Sequence, residues 1–146
     1  MKRLMVLVCC LFSIAFNVSA QTNFSMKLYA GSNAPWGESQ YISIDSKGKG
    51  KYDLSELGKG IKDSLSFTIS PFHIAQLRDV ITKIQFFKLN TSYNAQSRDG
   101  TRLSVEISVS ERTHTVNWIN IHTQETSALL DRLNSILKSE GINIYY

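Results

Sequence analysis

Cysteine is almost missing from this chain: among 146 residues only Cys9 and Cys10 carry thiols, and both sit in the first apolar run. Beyond that run there can be no disulfide, no thiolate metal site and no cysteine nucleophile. Proline is equally scarce, present only as Pro35 and Pro71. A dominant charge is lacking too. The 16 Lys and Arg are set against 12 Asp and Glu and are scattered, whereas nucleic-acid binding asks for clustered basic residues and a strong net charge. No stretch supplies the ~20 apolar residues of a spanning helix. No repeat, linker or low-complexity tract is visible.

What is present begins with an export pattern. Lys2 and Arg3 form a short basic start, residues 4–16 are apolar except for Ser13, and Val18-Ser19-Ala20 ends in the small residues that a signal peptidase reads. This is the n-region, h-region and cleavage site of a secretory signal peptide. The expectation is a signal peptide over residues 1–20 and a single domain over 21–146, secreted or periplasmic, with no membrane span after cleavage. Cys9 and Cys10 lie too early in the run to serve as a lipid-anchoring cysteine. Removing twenty residues from 146 leaves 126, enough for one domain with a real core. Loss of Lys2 and Arg3 lowers the formal net charge from +4 to +2.

Period-2 alternation marks the first strands. Phe24, Met26 and Leu28 alternate with Ser25 and Lys27. Ile42 and Ile44 have Tyr41 and Ser43 on the opposite side. Residues 51–54 return after the turn Asp45-Ser-Lys-Gly-Lys-Gly50, and Leu65, Phe67 and Ile69 alternate with serines and Thr68. At Ser70-Pro71 the period changes. Ser accepts a hydrogen bond from a first-turn amide, and Pro suits the first helical position. Ile74, Leu77, Val80, Ile81 and Ile84 then make one apolar stripe, and Phe86-Phe87-Lys88-Leu89 leads out of the helix to plug the edge of the core. Residues 90–100 read as polar and turn-like.

Leu103, Val105, Ile107 and Val109 alternate strictly with polar residues, and residues 113–119 are β-branched and aromatic. A hairpin with Glu111-Arg112 at its tip would pair Val109 with His114, Ile107 with Val116 and Val105 with Trp118, so that the apolar sides coincide. Glu-Arg is a poor two-residue tip. Thr123 can cap a last helix that buries Leu129, Leu130, Leu133, Ile136 and Leu137, with Gly141 as its stop. The order predicts an α+β fold: one antiparallel sheet of four to six strands with two helices packed on one face. The other face, with Ser104, Glu106, Ser108, Thr115 and Asn117, would be polar.

On these elements the chain resembles an uncharacterised family of small secreted or lipid-anchored bacterial domains. Their pattern is a strand region, a helix ending in Phe-Phe-x-Leu, a Tyr and an Asp, a hairpin and a closing helix. Phe86, Phe87, Leu89, Tyr93 and Asp99 carry it here, and the likeness spans residues 24–139. The chain departs from the pattern in lacking a hairpin Gly, a lipid-anchoring Cys and a Pro opening the last helix. The resemblance implies the architecture and no activity.

His73, His114 and His122 lack the local spacing of a zinc site; a first-turn position for His73 and an edge-of-core position for His114 are the ordinary alternatives. The serines, Ser39, Ser70 and Ser97 among them, sit in no G-x-S-x-G elbow. Asp45, Asp99 and Glu106 are carboxylates with no reason in the sequence to converge as a glycosidase requires. Lys47-Gly-Lys-Gly-Lys51 lacks P-loop spacing. No catalytic residue, metal ligand or cofactor is expected. Trp36, in a Pro/Gly loop, and the terminal Tyr145 and Tyr146 are the candidate partner-binding residues, since Trp and Tyr bury large area as interface anchors. The expected function is a non-catalytic binding or interaction module, inhibitor and immunity types included, for a protein or surface ligand. The alternative is a small envelope hydrolase whose residues converge only in the fold.

Overall fold

A computed structural model of the chain describes residues 23–32, 37–96 and 100–144. Its elements are β1 (Phe24–Ser32), β2 (Glu38–Ile44), β3 (Lys49–Glu56), β4 (Gly60–Thr68), α1 (Pro71–Lys83), a 3-10 turn (Phe86–Lys88), β5 (Ser92–Asn94), β6 (Thr101–Val109), β7 (Arg112–Ile119) and α2 (Gln124–Lys138). The strands form one sheet in the order β4-β3-β2-β1-β6-β7-β5. All neighbours are antiparallel except β5 and β7. The α+β class holds, but the sheet has seven strands rather than four to six. The extra one is β5, whose three residues alternate too briefly to announce a strand. It forms by lying parallel to β7, with Tyr93 opposite Trp118. The two rings stack 6.0 Å apart.

Period-2 alternation sorts the side chains. Phe24, Met26, Leu28 and Ala30 of β1, Ile42 and Ile44 of β2, Leu103, Val105 and Ile107 of β6, and Val116 and Trp118 of β7 are buried. They form one cluster with Leu77 and Ile81 of α1 and Leu129, Leu130, Leu133, Ile136 and Leu137 of α2. Both helices therefore cover the same sheet face.

The capping residues act as the sequence implies. Ser70 Oγ accepts a hydrogen bond from the His73 amide at 3.2 Å, with Pro71 opening α1. Thr123 Oγ1 accepts one from the Thr126 amide at 3.3 Å. The chain leaves α1 through Gln85, at φ 50°, which turns Phe86 into the core at 0% exposure. His114 fits against this plug: its ring lies 5.6 Å from that of Phe86, and Nε2 is 2.9 Å from the Leu89 carbonyl oxygen.

The β6–β7 hairpin corrects the expected register. Ile107 pairs with His114, Val105 with Val116 and Leu103 with Trp118, a shift of two residues from the sequence-based pairing. The tip is Ser110-Glu111, between Val109 and Arg112, and not Glu111-Arg112. Ser110 takes the left-handed conformation, at φ 56°, and its amide donates to the Asn23 carbonyl at 2.7 Å. A contact with the start of β1 thus sets the tip. Because the shift is an even number of residues, every side chain keeps its face.

Candidate functional site

Among the described residues one sheet face is left uncovered by the helices, and β1, β2, β3 and β6 supply its centre. Pairing across the sheet puts Ser64, Asp53, Tyr41, Tyr29, Ser104 and Asn117 in one row. The adjacent row runs Ser66, Lys51, Ser43, Lys27, Glu106 and Thr115. Tyr29 and Tyr41 are directly opposed and are 40% and 36% exposed. Tyr29 lies down along its own strand. A Cβ at Gly31 would come within 2.6 Å of the Tyr29 hydroxyl and 3.1 Å of Ser39 Cβ. Glycine at 31 is what lets the ring rest on the sheet.

The charges on this face are paired. Lys27 Nζ donates to Glu106 Oε1 at 2.8 Å. Asp53, only 8% exposed, accepts from Lys51 Nζ at 2.8 Å and from Ser64 Oγ at 2.6 Å. Those two hydrogen bonds, Lys51 first, hold the Asp53 carboxyl below its ordinary range. The hydrogen bond and charge of Glu106 raise the Lys27 ammonium, with a smaller contribution from Tyr41. Lys62 is raised in the same way by Glu38, 2.8 Å away. In each case the partner favours the charged form.

A cavity of about 320 Å³ opens at one end of the sheet. Ala30, Leu103 and Trp118 form its apolar side, and Glu38, Gln40, Arg102 and His122 lie around it. Small Ala30, between Gln40 and Leu103 in neighbouring strands, leaves the space. Among the described residues the buried Trp118 indole N–H has no hydrogen-bond partner. Glu38 is already ion-paired to Lys62.

The three candidate partner-binding residues, Trp36, Tyr145 and Tyr146, lie outside the described residues, as do Ser97 and Asp99. The histidines occupy separate places: His73 in the first turn of α1, His114 against Phe86, and His122 at the cavity. Asp45 accepts hydrogen bonds from the Lys47 and Lys49 amides, both at 2.9 Å, as a turn residue does. Among the described residues no group of three or more His, Cys, Asp or Glu is placed to hold a metal ion, and no helix is long and apolar enough to cross a membrane.

The Tyr29–Tyr41 pair was not singled out from sequence. Alternation puts each ring opposite the apolar side of its own strand, but their meeting depends on the β1–β2 register, which the two strand patterns alone do not define. No protein-family model matches the chain, and no curated protein matches it.

Proposed function

We propose that this protein is a non-catalytic binding module, exported to the periplasm or beyond, that engages a folded protein through the uncovered face of its sheet. The opposed, exposed rings of Tyr29 and Tyr41 at the centre of that face carry the reading. Tyrosine offers a large, rigid, amphipathic contact at low entropic cost, and the serines, Gly31 and Asn117 around it supply adaptable hydrogen bonding. Six strands ~4.8 Å apart, with about seven residues each rising ~3.3 Å, present roughly 650 Å². This approaches the ~800 Å² that each partner contributes to a standard interface. The Lys27–Glu106 and Lys51–Asp53 pairs leave the face without a dominant sign, which suits recognition by shape and hydrogen bonds. An inhibitor or immunity-type protein is one form such a module takes.

The test is capture from the envelope fraction followed by titration of the purified partner. Tyr29→Ala/Tyr41→Ala should bind that partner about 100-fold more weakly, the scale of two lost anchors, with its thermal unfolding unchanged. Equal binding by wild type and variant would overturn the assignment of the face. Intact-mass measurement of the isolated protein checks export: the expected N-terminus is Gln21, and retention of residues 1–20 would overturn release by signal cleavage.

A further inference from the structure

The sheet ends at β4, and the two halves of this strand differ. Gly60, Ile61, Lys62 and Asp63 contain both of the strand's charges, and the β3–β4 register shifts beside them, at Leu54 and Ser55. Charges and bulges are what natural proteins use to stop an edge strand from pairing. The half Ser64-Leu65-Ser66-Phe67-Thr68 has no charge, no proline and no register shift.

The direction of its backbone groups follows from one bond. The Ile69 amide donates inward to the Gly48 carbonyl at 2.9 Å. Amides alternate along a strand, so those of Phe67 and Leu65 also face β3 while those of Thr68, Ser66 and Ser64 face outward. The Ser64 amide fits this alternation and is already met by its neighbouring Asp63 Oδ1 at 2.8 Å, so pairing at Ser64 exchanges that carboxylate for a carbonyl acceptor. Leu65 is 42% exposed on the helix side of the sheet.

We infer that β4 is a homodimerisation edge, pairing antiparallel with β4 of a second copy about a twofold axis at Ser66. Because a hydrogen-bonded antiparallel pair needs both residues to face the partner, an outward residue must meet an outward residue. A twofold at Ser66 meets this condition and places Ser64 opposite Thr68, Leu65 opposite Phe67, and Ser66 opposite itself. The uncharged half is thus complementary to its own copy: two Leu–Phe pairs on the helix side, hydroxyl side chains on the other. The two Lys62 residues would lie eight residues apart along the paired strands, ~27 Å at strand rise, so like charges do not meet. A parallel arrangement in register would stack them. The contact extends the sheet continuously and leaves Tyr29 and Tyr41 uncovered.

Five paired residues make a small interface beside the standard ~1,600 Å², so the dimer should depend on concentration. Sedimentation of the protein as cells produce it, from about 5 to about 500 µM, covers the affinity range of such contacts. The expected result is a rise towards twice the chain mass. Ser66→Pro removes only an outward amide, a substitution that edge strands accept. It should stay folded and monomeric, and Leu65→Lys should do the same.

The register is tested by cysteine variants in a background with Cys9 and Cys10, where retained, replaced by Ser. Opposed Ser66 positions would have Cα atoms ~5.5 Å apart, within disulfide reach of ~4.4–6.8 Å. Ser66→Cys should therefore crosslink to itself on mild oxidation, whereas Ser64→Cys, ~14 Å from its copy, should not. A wild-type monomer throughout, a dimer that survives Ser66→Pro, or equal crosslinking at 64 and 66 would overturn the inference.

Discussion

In the β6–β7 hairpin Leu103, Val105, Ile107, Val116 and Trp118 are each 3% exposed or less, whereas in the β3–β4 hairpin exposure runs from Phe67 at 8% and Tyr52 at 9% through Leu65 at 42% to Ile61 at 63%. Both hairpins alternate apolar and polar residues, and both pair in antiparallel register. They differ in what lies above them. The central hairpin shares its cluster with α1 and α2, while the exposure of Leu65 marks where the helical layer stops. The outer hairpin supplies part of its own cover: the Phe67 ring lies on Gly50 of β3, where any Cβ would collide with it. Alternation chooses a face, and only a covering layer turns that face into core.

The largest break in this comparison should come from the tryptophan. Trp118→Ala removes a ring that is 1% exposed and stacked on Tyr93, and should cost ~3–5 kcal/mol in denaturant unfolding. Leu65→Ala, at a position 42% exposed, should cost less than ~1 kcal/mol, as truncations outside a core do. Similar losses for the two would mean that the helical layer reaches β4 after all.

Next in size is the cap that starts the helical layer. Ser70→Ala deprives the His73 amide of its acceptor and should cost ~1 kcal/mol, with Ser70→Asp nearly neutral. Equilibrium denaturation of both variants decides this, since equal and negligible effects would place no weight on the cap.

The smallest expected effect sharpens the comparison on the open face, beside the outer hairpin. The Asp53 carboxyl is lowered by Lys51 and Ser64. Its contribution is present above the unfolded value of 3.8 and is lost as pH falls through the folded value. Asp53→Asn should therefore weaken the protein slightly near neutrality and remove part of the wild type's loss of stability on acidification. Chemical unfolding of both proteins on either side of that window checks the sign. A steeper acid loss in the variant would contradict it.

Much of the fold was legible because its signals are local. Strand faces follow from a period of two, and α1 and α2 from apolar spacing and the capping residues Ser70 and Thr123. Pro71 and the Phe86 plug add to this, and none of these depends on a distant partner. The candidate face was legible only as polarity: Ser104, Glu106 and Asn117 were placed correctly, but Tyr29 was passed over. What gives that ring its setting is Gly31 beneath its tip and Tyr41 across the strand pair, both consequences of packing and register.

By itself, then, the sequence determined which residues face inward, where the helices begin, and how charge is balanced, since these rest on side-chain chemistry and chain stereochemistry within a few residues. The rest came from contacts between distant segments. A contact between Ser110 and Asn23 chose the hairpin tip, and β7 made a strand of Ser92–Asn94. The reach of the helical layer left Leu65 open while burying Val105. Each of these joins segments far apart in the chain, and no local pattern holds the free energy of a contact whose other half lies tens of residues away.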